Sequence, residues 1–267
     1  MNPIDAMFQR LRANQQKAFI PFLAAGDPDL AFTREALGVL ATAGASLIEV
    51  GVPFSDPIAD GPVIQASYTR ALNRGFKLAD LFAATKTFDA VPLVTMGSYS
   101  LIHKRGVAKF LDEAKAAGIS GAVVPDLPAE EAVELAKAAA DLDFKLILLV
   151  TPTTSPQRAE AIVKACTGFV YVVSVVGITG ARQTVATDLQ AMITRLRTMT
   201  DKPLCVGFGV STPEQAKNVA SIADGVIVGS ALVKMLDGAG TPDGRAKALQ
   251  DLKTLATAIA QGVQSSK

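Results

Sequence analysis

Short apolar runs rich in β-branched residues alternate along this chain with longer stretches whose apolar positions have helical spacing. Continuous apolar runs are typical of strands buried on both faces, and amphipathic stretches are typical of helices packed on one side. The predicted strands are Ala18–Leu23, Ser46–Val52, Pro92–Met96, Gly121–Pro125, Lys145–Val150, Phe169–Ser174, Pro203–Phe208 and Gly225–Val228. The predicted helices are residues 28–43, 60–72, 77–87, 105–117, 129–141, 156–165, 187–198, 212–221, 230–236 and 243–263.

This alternation predicts an α/β protein with a parallel sheet covered by helices. Eight strand–helix units in 267 residues favour one domain, residues 1–267, folded as a (β/α)₈ TIM barrel with extra N-terminal and loop helices. An open doubly wound sheet is the alternative, which periodicity leaves open. Ser211-Thr-Pro-Glu214 predicts a capping box at one helix start, and Thr154-Ser-Pro156 predicts another start with proline in its first turn.

One predicted strand contains a carboxylate. Glu49 lies in the otherwise apolar run Leu47-Ile-Glu-Val-Gly51, and Asp56 and Asp60 follow in a proline-rich loop. A buried ionised carboxylate needs a partner, a raised pKa or a function, and barrel active sites lie at the C-terminal ends of strands. Strand alternation therefore predicts that Glu49 points into the barrel near its rim, with space above Gly51.

Structural roles also account for each of these acids. Glu49 could be a buried glutamate paired with a structural lysine or arginine. Asp56 and Asp60 are equally common as turn residues, and Asp60 precedes Gly-Pro, where a helix N-cap is expected.

Glycine-bearing loops follow each of the last three predicted strands. They are Gly177-Ile-Thr-Gly-Ala-Arg182, Gly207-Phe-Gly-Val-Ser211 and Val228-Gly-Ser-Ala231. Glycines let backbone amides approach an anion, and barrels often bind phosphate after strands 7 and 8. The loops therefore predict a phosphate site, with ordinary turn glycines as the alternative.

The aromatic residues Phe22 and Tyr171 fit either the core or a ligand pocket. No P-loop is present, and no GxGxxG follows the first strand.

Composition narrows the function classes. Lys and Arg number 26 against 25 Asp and Glu, which gives no electrostatic footprint for nucleic acid or an anionic membrane. The cysteines Cys166 and Cys205 and the single histidine, His103, lack metal-ligand spacing, and one histidine makes a Ser-His-Asp triad improbable. With no signal pattern and no apolar run near 20 residues, a cytoplasmic protein without membrane contact is expected.

Several blocks, in order and over nearly the whole chain, resemble the tryptophan synthase alpha subunit family. The most specific are Ile48-Glu-Val-Gly-Val-Pro-Phe-Ser-Asp-Pro-Ile-Ala-Asp-Gly-Pro-Val-Ile-Gln65 and Tyr171-Val-Val-Ser-Val-Val-Gly-Ile-Thr-Gly-Ala-Arg182. The resemblance implies a barrel that cleaves indole-3-glycerol phosphate to indole and glyceraldehyde 3-phosphate in tryptophan biosynthesis. It implies a retro-aldol lyase without metal or organic cofactor.

The resemblance also implies residue roles. Glu49 and Asp60 match the catalytic acids. The positions that match substrate-binding residues are Phe22, Tyr171, Thr179, Gly180, Phe208, Gly209, Gly229 and Ser230, the glycines and Ser230 holding the phosphate. The positions that match interface or loop-support residues are Asp56, Pro57, Asp126 and Arg182.

A partner is implied as well: a beta subunit that carries pyridoxal phosphate, receives indole through a tunnel and forms an alpha-beta-beta-alpha heterotetramer. The segment Met96-Gly-Ser-Tyr-Ser-Leu101 lacks the family's Asn-Pro pair, so pocket and partner contacts there are expected to differ. The alternatives are a stand-alone indole-releasing lyase, a non-catalytic activator of the beta subunit, and a phosphosugar isomerase on the same fold.

Overall fold

Parallel strands form the centre of the computed structural model, which describes residues 1–58, 60–174, 182–207 and 209–266, with the side chains of 182–187 excepted. The strands are β1 Ala18–Ala24, β2 Ile48–Gly51, β3 Leu93–Met96, β4 Ile119–Val123, β5 Lys145–Ile147, β6 Leu149–Val150, β7 Val170–Val173, β8 Leu204–Gly207 and β9 Gly225–Val228. All described pairings between them are parallel, in the order β5-β4-β3-β2-β1-β9-β8-β7-β6.

Helices surround this sheet. They are α1 Pro3–Ala13, α2 Leu30–Thr42, α3 Pro62–Asn73, α4 Leu78–Thr85, α5 Tyr99–Arg105, α6 Val107–Ala116, α7 Val133–Asp141, α8 Pro156–Ala165, α9 Arg182–Arg197, α10 Pro213–Ala220, α11 Ser230–Val233 and α12 Pro242–Gln264. None of the described helices is long and apolar enough to cross a membrane.

The sheet curls into a nearly closed barrel, which confirms the predicted fold class. The predicted strand Lys145–Val150 divides at Leu148 into β5 and β6, the two ends of the strand order. The chain itself bridges this gap, and Tyr171 donates a backbone hydrogen bond to Leu148 O at 3.2 Å. The predicted strand Gly121–Pro125 is observed two residues earlier, as β4.

Side-chain alternation divides the core into two layers. Ile48 and Val50 belong to the large cluster between strands and helices, whereas Leu47, Val94 and Ile227 belong to a smaller cluster inside the barrel. Continuous apolar strands are required because both faces are buried.

Helix α1 closes the N-terminal end of the barrel and is the extra N-terminal helix that the fold class predicted without bounds. Asn2 caps it by accepting a hydrogen bond from Ile4 N at 2.9 Å, and its amide donates to Ser120 O at 3.0 Å. Phe8 packs against Phe169 with ring centroids 5.9 Å apart. The described active-site groups are therefore expected at the other end of the barrel, where the strands have their C-terminal ends.

One local prediction is corrected. The capping box of α10 uses Thr212 and Gln215 rather than Ser211 and Glu214, because Pro213 takes the first helical position directly after the cap. The single histidine, His103, lies within the short helix α5.

Candidate active site

Strand β2 places Glu49 inside the barrel. Its neighbours in register are Phe22 of β1 and Val94 of β3, both members of the interior cluster. The glutamate is only 1% exposed. The inward orientation expected from strand alternation is therefore observed.

Glu49 has no counter-charge within the described part of the chain. It forms no described ion pair, and its Oε1 atom is buried without a hydrogen-bond partner. Burial, and to a smaller degree the charge of Asp60, raises the pKa of Glu49 to about 8. A glutamate that is neutral at neutral pH can donate a proton, which a glutamate in a structural ion pair cannot do.

Asp60 lies in the loop directly before α3 and is half-buried. Its backbone N–H donates to Pro57 O at 3.1 Å, and its carbonyl accepts from Gln65 Nε2 at 2.8 Å. It is not the N-cap of α3: Gly61 is, with no side-chain cap bond. Burial raises the pKa of Asp60 to about 6, so it remains ionised at neutral pH beside the neutral Glu49.

The ends of β2 and β8 carry glycines that make room for aromatic side chains. A Cβ at Gly51 would overlap the ring of Phe22 and the hydroxyl of Tyr68, so the expected space above Gly51 is filled. A Cβ at Gly207 would likewise overlap the Tyr171 hydroxyl. These two tyrosines therefore approach the ends of β2 and β8 closely.

Tyr171, half-buried on β7, belongs to the same electrostatic environment as the acids. Its pKa is raised well above its ordinary value by burial, with the charges of Glu49 and Asp60 as further causes. Phe22 is 2% exposed and lies beside Glu49. Both aromatic residues thus lie near the acid pair, Phe22 within the interior cluster and Tyr171 packed against it.

The predicted phosphate loops are described in part. Gly209 has a positive φ of 83°, a conformation that glycine adopts without strain. Gly229 precedes α11, and a Cβ there would come within 3.7 Å of Phe22 Cβ and of Ile64 Cδ1. Ser230 is exposed. Thr179, Gly180 and Phe208 lie outside the described residues, as does the side chain of Arg182.

The remaining predicted positions meet in an open cleft with about 340 Å³ of empty space. Asp56, Pro57 and Asp126 line it, together with Asp60 and Tyr68. The carboxylate of Asp126 accepts hydrogen bonds from Ser98 Oγ at 2.5 Å and from Tyr99 N at 2.8 Å. This cleft joins the loops that follow β2, β3 and β4.

Sequence reasoning missed Tyr68. Its hydroxyl is buried without a partner, and burial together with the charges of Asp60 and Glu49 raises its pKa. Helical spacing could have identified it: Ile64, Tyr68 and Ala71 are four and three residues apart and therefore lie on one face of α3.

Across the described residues no group of three or more His, Cys, Asp or Glu side chains is arranged to hold a metal ion. The functional groups brought together here are two carboxyl groups, two tyrosines and a glycine-lined rim. Such a set can perform acid–base chemistry on an aromatic substrate that is anchored by an anionic group.

Comparisons with known proteins all point to one family. The family model described as tryptophan synthase alpha chain matches residues 8–264. A tryptophan synthase alpha chain from Synechocystis sp. is 52% identical over 97% of this chain and 100% of its own, and one from Microcystis aeruginosa is 48% identical over 99% and 100%. The crystal structure of tryptophan synthase subunit alpha from Legionella pneumophila matches with a TM-score of 0.90, 34% identity and 99% coverage of both chains.

Proposed function

The chain belongs to the tryptophan synthase alpha chain family, and we propose that Glu49 and Asp60 are the acid–base pair of its reaction. It is a carbon–carbon lyase that cleaves indole-3-glycerol phosphate in tryptophan biosynthesis. The observation that carries the assignment of residues is Glu49, a buried carboxyl group without a cation, next to the half-buried Asp60.

The first step of the proposed mechanism is protonation of the indole ring. An indole carbanion is a poor leaving group, so C3 must gain a proton before its bond to the glycerol chain breaks. Glu49 is neutral at neutral pH and supplies this proton, which leaves it as a carboxylate. The positive charge that develops on the ring nitrogen is stabilised by the ionised Asp60.

The second step breaks the carbon–carbon bond. The Glu49 carboxylate takes the proton of the hydroxyl group on the carbon attached to indole C3, and that carbon becomes the aldehyde carbon of glyceraldehyde 3-phosphate. The electron pair of the broken bond returns to the ring and neutralises the nitrogen. Indole leaves, and Glu49 is again protonated, so the site needs no net proton from solvent.

The residues at the C-terminal ends of the strands suggest how the substrate is positioned. We assign the indole ring to the surroundings of Phe22, Tyr171 and Phe208, and the phosphate to the amides of Gly180, Gly209, Gly229 and Ser230. The proximity of Gly229 to Phe22 supports one continuous site, because it brings the proposed phosphate and indole ends together. Thr179 is assigned to the closing loop above Asp60, and Arg182 to its support.

The family name implies a beta-subunit partner, and we propose the cleft lined by Asp56, Pro57 and Asp126 as part of the surface that meets it. Because Asp60 lines the same cleft, docking there can affect the catalytic loop directly. The proposed assembly is a cytoplasmic alpha-beta-beta-alpha complex with pyridoxal phosphate on the beta subunit only.

Two variants test the assignment. Glu49→Gln removes the proton donor and Asp60→Asn removes the negative charge at the ring nitrogen. Each should lower kcat for indole release by roughly 10²- to 10⁴-fold. Asp141→Asn, an exposed acid on α7, is the matched control and should keep full activity. Near-normal turnover in Glu49→Gln or in Asp60→Asn would remove that residue from the mechanism.

A further inference from the structure

The Tyr68 hydroxyl has no described role in holding the fold together. Tyr68 is 2% exposed, and its hydroxyl oxygen is buried with no hydrogen-bond partner among the described residues. Native proteins rarely bury such a group without a partner, and exceptions call for a functional explanation.

Strand geometry places this hydroxyl beside Glu49. The hydroxyl occupies the space where a Cβ of Gly51 would lie, and Gly51 and Glu49 share the interior face of β2, two residues or about 7 Å apart. Glu49 Oε1 is the other buried carboxyl or hydroxyl atom without a partner in the described structure. Two unpartnered polar atoms therefore face the same interior space.

Helix α3 holds Tyr68 firmly in this position. On either side of Tyr68 in sequence, Ser67 Oγ donates to Asp27 Oδ2 at 2.6 Å, and Arg70 donates from Nε and Nη2 to the same carboxylate at 2.6–3.1 Å. Asp27 is 3% exposed. These buried bonds fix the rotation of α3 about its axis and so direct Tyr68 towards β2.

We propose that Tyr68 is a positioning residue for Glu49 and that its hydroxyl hydrogen-bonds the Glu49 carboxyl group in the substrate complex. The inference rests on the proposed acid–base role of Glu49. A phenol hydroxyl both donates and accepts, so it can pair with the neutral acid before proton transfer and with the carboxylate after it. A lysine or arginine would favour only the carboxylate and would abolish the acid.

Among the described groups near Glu49, Tyr68 fits this role best because its hydroxyl is buried and unpaired. Asp60 is an acceptor whose charge disfavours the ionised form of Glu49. Tyr171 is half-buried, and its hydroxyl is not among the described buried atoms that lack a partner. Tyr68 is thus the described donor whose buried hydroxyl is left unpaired in the barrel interior with Glu49.

The test is Tyr68→Phe, which keeps the ring and its packing and removes only the hydroxyl. The expected result is a 10- to 100-fold lower kcat with KM little changed, because a hydrogen bond to a charged group is lost after substrate binding. The ionised form of Glu49 loses its donor, so its pKa rises, and the basic limb of the kcat–pH profile should move upward by about one unit. A purely structural tyrosine would not move this limb.

A double-mutant cycle completes the test. In the Glu49→Gln background, Tyr68→Phe should cause no further loss of kcat, since the hydroxyl acts through Glu49. An unchanged kcat, an unmoved basic limb or a fully additive loss in the double variant would each overturn the inference. If Glu49→Gln is impaired while Tyr68→Phe is normal, only this inference fails; if Glu49→Gln is normal, the proposed mechanism fails with it.

Discussion

For Glu49, the burial and the raised pKa that suit it to proton transfer also lower the stability of the folded protein at neutral pH. Its pKa is raised to about 8 in the folded protein, against an ordinary value of 4.5. The folded state therefore binds the proton more tightly than the unfolded chain does. The stability that this proton contributes is complete below pH 4.5 and is lost as the pH rises towards 8.

Glu49→Gln should reveal how much stability the wild-type protein loses as the pH rises. Glutamine is neutral at every pH, so the free energy of unfolding of the variant does not fall with the ionisation of residue 49. Its free energy of unfolding relative to wild type should rise by about 3 kcal/mol between pH 4.5 and pH 7. Urea unfolding at both pH values measures the change. A constant difference between the two proteins would show that Glu49 ionises normally in the fold.

The sequence identified Glu49 because a carboxylate in an apolar strand is locally conspicuous. It did not distinguish Asp60 from Asp56 by chemistry alone: both are loop acids, and only burial, which the fold creates, raises the pKa of Asp60. Tyr68 was missed because an aromatic residue on the apolar face of a helix looks like ordinary core. Its unpartnered hydroxyl becomes visible only when α3 and β2 are placed together.

At the scale of elements, α3 positions the site. It begins two residues after Asp60, carries Tyr68 and is anchored to the loop after β1 through Asp27. Asp27 is buried, whereas Arg70 is partly exposed and also pairs with Asp237 at 3.2 Å.

Arg70→Met should therefore destabilise the protein by about 3 kcal/mol, because it leaves the Asp27 carboxylate buried without its cation. Lys137→Met, which breaks an exposed pair with Asp141 on α7, is the control and should change stability by less than about 1 kcal/mol. Urea unfolding of both variants makes the comparison. Equal effects would show that Asp27 does not depend on Arg70.

The pattern of the chain predicted most strands and helices, since both faces of each strand are buried and apolar. It gave no bounds for the extra N-terminal helix α1, which is held by tertiary contacts of Asn2 and Phe8, or for the short loop helix α5, which is capped by Ser98. The division of one predicted strand at Leu148 depends on how the sheet closes, so the pattern of apolar residues in this segment does not predict it.

At the scale of the whole molecule, periodicity could not separate a barrel from an open sheet, because both contain the same units. The sheet closes because the first strand, β1, pairs with the last, β9, and because only Leu148 separates β5 from β6, the two ends of the strand order. Closure also explains the site: Phe22 and Gly229, which are 207 positions apart in sequence, become neighbours at one rim.

Binding of a beta subunit should raise the rate of indole release severalfold or more, because docking at the proposed cleft would favour closure of the loops 52–61 and 175–186 over the site. Steady-state cleavage with and without a tryptophan synthase beta subunit measures the effect. Unchanged turnover in a demonstrated complex would favour a stand-alone lyase, and absence of turnover in both conditions would favour a non-catalytic activator.

The proposed mechanism requires Glu49 to be a neutral acid at neutral pH. The most direct measurement is the titration of its side-chain carboxyl carbon by ¹³C NMR, with the signal assigned by its absence in Glu49→Gln. We expect a pKa near 8, and a lower value in Asp60→Asn, where the neighbouring charge is gone. Titration near 4.5 would contradict it, because Glu49 would then be ionised before the substrate arrives.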